Sequence, residues 1–498
     1  MLTYIQDCRT NSFLRLCVTS LFKRAYGRFC RCCKSAVPFI LTSGFIVKAA
    51  IIIFLLILAA AVLFKWDDIS EAYSSLEPGL GMFWLDITRV LLLLNITVFI
   101  WRTVLAIMYR PTAAVDDELL PNCTVIVPAY NEGHQVFDTL ASIVNSDYPV
   151  SKLQIIAIDD GSRDDTWQWI QQAAARFSNR IETISLAKNA GKRRALYEGF
   201  IRSTGDIFVT IDSDSIIETH TLRKLVSPFV NDHRTGAVAG NVRVLNTKQG
   251  FIPKMLDVSF AFSFDFVRAG QSMVDTVFCT PGALSAYKRK PVMKHLEQWL
   301  NQTFLGKPAK IGEDRAMTNL IIRDGWKVKF QSDAIVYTNV PCKYKNLCKM
   351  LLRWARSNVR ETLIMSTFIF SRFRRTRATG ARINFLTSCV NLLVPRALFG
   401  ALIATVSLEA SDYLLQLLAG SSVWATVPAA FYVLKRKTSD ALYAFAYSVF
   451  WLFGLFWITP WAMLTPANGK WLTREDNRSE TPAQRVARPV DTSTPVAA

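Results

Sequence analysis

Ile207-Phe208-Val209-Thr210-Ile211-Asp212-Ser213-Asp214 is an uncharged, β-branched run that ends abruptly in two carboxylates. Such a run reads as a strand buried on both faces. Its polar end falls where open α/β sheets bind ligands, beyond the carboxyl ends of the strands. Two further stretches share the design: Thr124–Val127 runs into Pro128-Ala129-Tyr130-Asn131-Glu132, and Gln154–Ile158 into Asp159-Asp160-Gly161-Ser162. Helical patterns separate them. Residues 110–342 therefore read as an α/β domain with a mostly parallel sheet whose three polar strand ends converge on one site.

The chemistry of that site follows from what the sequence offers for phosphate. No Walker A loop and no Gly-x-Gly-x-x-Gly turn is present, so a metal and basic side chains have to hold it. Asp212 and Asp214 supply two hard oxygen ligands, which suits Mg²⁺ or Mn²⁺ with water and substrate phosphates completing the shell. An isolated Asp-x-Asp is as easily a solvated turn; the acids upstream and downstream favour the metal. Asn189-Ala190-Gly191-Lys192-Arg193-Arg194 combines a turn, a helix start and three cations, and helix amides with Lys192 suit a diphosphate. Gly312-Glu313-Asp314-Arg315 puts two carboxylates at a helix head. The macrodipole alone enriches acids there, but an acceptor hydroxyl needs a general base. Asp314 is the candidate, with Arg315 or the neighbouring carboxylate tuning it. Arg353-Trp354 then offers a cation for a departing diphosphate and an indole face for a sugar ring, or a membrane-interface anchor.

The chain has 498 residues with 58 Lys+Arg against 39 Asp+Glu, a net charge of +19 that suggests nucleic acid or an anionic membrane as partner. With 51% hydrophobic and 19% charged residues it is not a disordered basic protein. Residues 1–36 carry a net +6 and residues 343–382 a net +10, each just before apolar sequence. The charge is thus mostly topological, and no motif supports nucleic-acid binding. Residues 37–109 hold two apolar segments long enough to span a bilayer, the second with Asp86 and Arg89 near its start, read as interfacial. The positive-inside rule places the basic amphipathic segment 1–36 inside on anionic lipid, residues 65–80 outside and the α/β domain in the cytoplasm. Residues 343–382 read as basic interfacial helices. Within 383–466 lie apolar stretches at Ile383–Leu408, Tyr413–Leu434 and Leu442–Thr465, where Pro428 and Pro460 could each break a span. Ten cysteines are scattered without zinc-site spacing, and Cys30, Cys32 and Cys33 beside the first span suit S-acylation.

Taken together these residues resemble a membrane-integrated family 2 glycosyltransferase, of the processive group of hyaluronan, chitooligosaccharide and capsule synthases. The resemblance runs from about Asn122 to Arg474. It implies a GT-A fold inserted between transmembrane helices of a multi-pass cell-membrane protein. It also implies inverting transfer from a UDP-sugar (UDP-GlcNAc, with or without UDP-GlcA) to a growing polysaccharide that leaves through the enzyme's own channel. By position it assigns Tyr130, Glu132, Asp159 and Asp160 to the uridine pocket, Lys192 to the diphosphate, Asp212 and Asp214 to the metal and Asp314 to the base. Cys279-Thr280-Pro281-Gly282-Ala283 matches the loop that shapes the acceptor site. Arg353 and Trp354 match the end of a Gln-x-x-Arg-Trp element whose Gln is here Met350. Trp471-Leu472-Thr473-Arg474, in the segment 467–498, resembles a Trp-Gly-Thr-Arg gate with Leu472 for the Gly. Two other functions share parts of this pattern: a non-processive transferase acting on a polyprenyl phosphate, and an inactive nucleotide- or glycan-binding membrane protein.

Overall fold

A computed structural model describes residues 43–68, 80–404 and 410–469. The basic segment 1–36 with Cys30, Cys32 and Cys33, most of the acidic loop 65–80, and the tail with Trp471 and Arg474 lie outside the described residues.

The three expected strands form, with each end within two residues of its expected place. They are β1 (Cys123–Ala129), β2 (Leu153–Asp159) and, after β3 (Ile181–Ser185), β4 (Ile207–Thr210). Every residue of β1 and β4 is buried. That is why they read as continuous apolar runs rather than alternating ones. Complete burial of Ile126, Ile156 and Ile158 stabilises the sheet by about 1.5–3 kcal/mol per side chain. The chain continues through β5 (Ser215–Ile217), β6 (Thr235–Val244), β7 (Ser285–Lys288), a small hairpin of β8 (Thr303–Phe304) and β9 (Lys307–Pro308), and β10 (Lys327–Thr338). The main sheet has eight strands in the order β3-β2-β1-β4-β7-β6-β10-β5. Strands β3-β2-β1-β4 are parallel, and so is β6 to β10. Strand β7 enters antiparallel between β4 and β6. The connection from β6 to β7 is therefore long enough to carry the helix Phe251–Ala261, its π-helical continuation Phe262–Arg268 and the loop 274–284.

Helices bracket this domain. Ile46–Phe64, Arg89–Met108 and Leu414–Arg436 are long and apolar enough to cross a membrane. Asp86, just before the second of these stretches, and Arg89, its first residue, pair with each other at 3.0 Å. The expected stretch Ile383–Leu408 forms the helix Thr379–Ala404 over its described part. Thr387 and Ser388 of this helix take hydrogen bonds from Arg102 of the second apolar helix at 3.4 and 3.5 Å. Pro428 does not break its helix, which runs unbroken over Ala410–Arg436. The break comes instead between Ser439–Leu455 and Ile458–Leu464, bent by 44°, with Pro460 in the first turn of the second piece, where its missing N–H costs nothing.

The sheet is tied directly to the second apolar helix. Tyr109, one residue past its end, donates from its hydroxyl to the Phe330 carbonyl (2.8 Å) and accepts from the Ser332 amide (3.1 Å). Gln331 pairs twice with the Thr112 backbone at 3.1 and 2.7 Å. These bonds fall where the β10–β6 register breaks, between Phe330 and Ile335, so the tie uses backbone groups that a regular ladder would occupy.

Candidate active site

The ends of β1 and β2 are laced together before any ligand is considered. The Asp160 amide donates to the Ala129 carbonyl at 2.8 Å, and the Glu132 and Gly133 amides share the Thr166 hydroxyl at 2.8 and 2.9 Å. Asp160 accepts from the Ala190 and Gly191 amides at 2.8 and 2.9 Å. Asp159 accepts from the Ser162 amide at 3.2 Å. Both aspartates are only 3% exposed. Their oxygens hold the backbone amides of the neighbouring loops, and Asp159 Oδ2 also accepts from the Ser185 hydroxyl at 3.5 Å. Tyr130 and Glu132 are half-buried on its rim.

Asp160 thereby fixes the turn that opens the helix Lys192–Arg202, with Gly191 at φ +90. The Lys192 ammonium reaches across to the Asp212 carboxylate and lies 3.3 Å from Glu313 Oε1. Burial works against its charge, but Asp212 and Glu313 outweigh that and hold its pKa above the ordinary lysine value. Gly282 covers the pair: a Cβ there would sit 2.6 Å from Lys192 Nζ and 3.5 Å from both Asp212 oxygens. The acceptor-loop glycine, the diphosphate lysine and the metal carboxylate named from sequence are thus one contact group. Asp214, half-buried, accepts from the Ser215 and Thr338 hydroxyls at 3.3 and 3.4 Å.

Glu313 and Asp314 open the helix Glu313–Arg323 after Gly312 in the left-handed region at φ +69. Their environments pull them apart. Glu313 is buried, which alone would raise its pKa, yet Lys192, its own helix-start amide, Arg353 and Arg193 bring it below the ordinary glutamate value. Asp314 is pushed up, first by burial and then by the Glu313 charge, against Arg315 and Lys192. Two adjacent acids driven in opposite directions are what divided acid and base roles look like. Asp314 Oδ1 accepts from the Arg315 amide at 2.7 Å, and the Cys279 thiol lies 3.6 Å from Oδ2. Burial raises the Cys279 pKa, so it faces the carboxylate as a neutral S–H. The Arg315 guanidinium turns away to Asn358 at 3.0 Å.

A buried frame holds this helix head, and sequence reasoning missed most of it. Trp299 donates from its indole to the Glu313 carbonyl at 2.8 Å, and Arg193 lies over the Trp299 ring at 5.2 Å. Burial lowers the Arg193 pKa to about 10. Arg360, 1% exposed, donates to the Ile311 carbonyl at 2.6 Å and to Glu361 at 2.9 Å. Glu361 also accepts from Gln302 at 3.1 Å and Asn319 at 2.9 Å. Two cations of the basic segment 343–382, Arg356 and Arg360, are therefore buried in protein rather than presented to lipid. One signal was available: Glu361 is the sole acid in those forty residues. Arg353, from the same helix Tyr344–Ser366, contributes to holding Glu313 ionised. Trp354 is 40% exposed, 6.0 Å from the Phe260 ring. Met350, where the resemblance expects Gln, is buried.

Asp212 and Asp214 are the candidate metal ligands. Among the described residues no group of three or more His, Cys, Asp or Glu side chains could enclose an ion. Two oxygen ligands with room for phosphate fit Mg²⁺ or Mn²⁺, which keep several water or substrate ligands, and do not fit a closed structural site.

A family model described as "Glycosyltransferase like family 2" matches residues 121–357. An N-acetylglucosaminyltransferase of Rhizobium sp. (strain N33) is 30% identical over 72% of this chain and 79% of its own. An N-acetylglucosaminyltransferase of Rhizobium meliloti (strain 1021) is 36% identical over 50% of this chain and 58% of its own. A hyaluronan synthase of Streptococcus pyogenes is 33% identical over 55% and 66%. In the last two the match spans less than two thirds of the relative's length. A mannosyltransferase of Pyrobaculum calidifontis, solved with GDP-Man and Mn²⁺, superposes with a TM-score of 0.52 at 21% identity, over 75% of this chain and 98% of that one. Its likeness is one of fold, and that fold is GT-A. Motifs, sheet order and relatives agree, and the chain belongs to family 2 of the glycosyltransferases.

Proposed function

We propose that the protein is a metal-dependent, inverting and processive transferase. It polymerises UDP-sugars, UDP-GlcNAc among them, into a β-linked polysaccharide and passes the product across the cell membrane between its own helices. The domain 110–342 and the interfacial residues 343–382 stand in the cytoplasm, between helices in 37–109 and 383–466. The observation that carries the reading is the split pair Glu313 and Asp314 beside Lys192 and Asp212. The names of the N-acetylglucosaminyl and hyaluronan relatives favour GlcNAc as one substrate.

In this mechanism Lys192 and Arg353 hold the donor diphosphate. A divalent cation on Asp212 and Asp214 would supply further neutralisation of that charge when bound. Trp354 offers its exposed face to the acceptor sugar. Asp314, with its raised pKa, accepts the proton of the acceptor hydroxyl. The oxygen attacks the anomeric carbon from the side opposite the leaving group, so the C–O bond to UDP breaks as the β-linkage forms. No covalent enzyme intermediate is needed, and the rate comes from positioning and electrostatics. Asp314→Asn should fold, bind UDP and lose polymer synthesis; near-native turnover in that variant would remove the base assignment. Purified enzyme fed UDP-GlcNAc alone and with UDP-GlcA should make long polymer in one arm, whereas single-sugar products in both would replace a processive with a non-processive transferase. Chelation should abolish activity and Mn²⁺ or Mg²⁺ restore it.

A further inference from the structure

We propose that Lys192 and the divalent cation are rival partners of the Asp212 carboxylate, so that the donor diphosphate, by drawing Lys192 away, opens Asp212 to the cation. The inference deepens the proposed function and rests on it.

The contacts that carry it are few. The Lys192 ammonium is in direct contact with Asp212 Oδ1, with only 11% of the lysine side chain and 33% of the aspartate side chain exposed. Gly282 closes over both, so close that its missing Cβ would fall 2.6 Å from Nζ and 3.5 Å from each Asp212 oxygen. A dication ligated by Asp212 would stand within a few ångströms of a buried ammonium under a backbone roof that leaves little water to screen them. Asp212 therefore serves one of them at a time. Asp214 accepts from the Ser215 and Thr338 hydroxyls.

Glu313 gives the lysine somewhere to go. Its Oε1 lies 3.3 Å from Nζ, fixed at the head of the helix Glu313–Arg323. Lys192 can release Asp212 and remain paired. A diphosphate arriving at the start of the helix Lys192–Arg202 offers a third anionic partner. Diphosphate binding and cation binding then share one event, the departure of Lys192, and each strengthens the other beyond what a direct metal–phosphate contact provides. Such coupling is reciprocal.

The test is a set of binding measurements rather than turnover. Mn²⁺ affinity of the full-length protein in detergent is measured by electron paramagnetic resonance, with and without UDP, and the ratio of the two affinities is the coupling. In Lys192→Met, Mn²⁺ without UDP should bind more tightly than in the wild type, and the coupling should fall by about tenfold, within the usual span of site–site coupling. In Glu313→Gln the lysine has only Asp212, so Mn²⁺ without UDP should weaken and the coupling should rise. A simple change of net charge would move both affinities in each variant and leave the ratios alone. Unchanged coupling in both variants overturns the proposal while leaving the transferase reading intact. Absence of any UDP-enhanced Mn²⁺ binding in the wild type overturns both.

Discussion

Replacing Gly312 by Ala tests how the acid pair is held. Gly312 sits at φ +69, and a Cβ there would meet Ser357 Cβ at 2.4 Å and Arg360 Nη2 at 3.0 Å. A non-glycine residue in the left-handed region costs about 1–2 kcal/mol. Carbon atoms pack at about 3.5–4.0 Å, so more than an ångström of overlap has to be relieved by moving one helix against the other, typically at about 1–3 kcal/mol. The smaller backbone entropy of Ala in the unfolded chain returns about 0.4–1 kcal/mol. A net loss of about 3 kcal/mol corresponds to roughly 6–12 °C in Tm for a domain of this size. The two terms can be separated, because Ser357→Gly removes the obstructing atom but not the strain. Gly312→Ala with Ser357→Gly should therefore regain about half of the loss. Tryptophan-fluorescence melting of the detergent-solubilised protein measures stability, and UDP release from the same preparation measures turnover. A Gly312→Ala protein that melts with the wild type and turns over normally would refute the close packing of these helices and the claim that it positions Asp314.

Other expectations follow from the charged groups. Asp314 acts deprotonated, so activity should fall as pH drops through its raised pKa; Glu313→Gln removes the anionic neighbour and should move that acid limb to lower pH in a kcat profile. Glu361→Gln strands the buried Arg360 and should cost about 3–5 kcal/mol, read as loss of folded yield, whereas replacing both by apolar residues of similar size should restore most of it. At Asp232 burial is outweighed by Lys327 and Lys329, and its pKa is lowered to about 2. Its stabilisation is complete above the unfolded pKa and is lost as pH falls towards 2, so Asp232→Asn should flatten the acid melting curve in that window.

The strands that carry the site were legible because both of their faces are buried, which forces uninterrupted apolar sequence, and because each ends in acids or turn residues that such a strand cannot contain. The helix starts at Lys192 and Glu313 were legible through the glycines that precede them. The antiparallel entry of β7 was not, since Ser285–Lys288 is four residues of ordinary composition and its place is set by pairing with β4 and β6. Burial of Asp159 and Asp160 was hidden for a related reason: a strand-end aspartate looks alike whether or not its oxygens also hold the amides of the next loop. Trp299 carried no local signal, because its partner Glu313 becomes a neighbour only after the hairpin β8–β9 turns the chain back. Of the two prolines in the C-terminal apolar region, Pro428 is absorbed in an unbroken helix, whereas the bend falls just before Pro460, which cannot donate to the carbonyl four residues earlier.

The tie between Tyr109 and the irregular edge of β10 bears on where movement can occur. A hydroxyl that both gives and takes a hydrogen bond at one spot, reinforced by the doubly bonded Gln331 between its two partners, resists sliding and twisting alike. The second apolar helix and the sheet then behave as a stator, a single fixed body within which the strand ends keep constant height. The bent pair Ser439–Leu455 and Ile458–Leu464 is fastened to another body, the helix that bears Arg353 and Trp354, through Tyr344 on the Gly454 carbonyl at 2.5 Å and Arg356 on the Thr465 hydroxyl at 3.1 Å, so a shift of that pair would reach those two residues before it reached the strand ends.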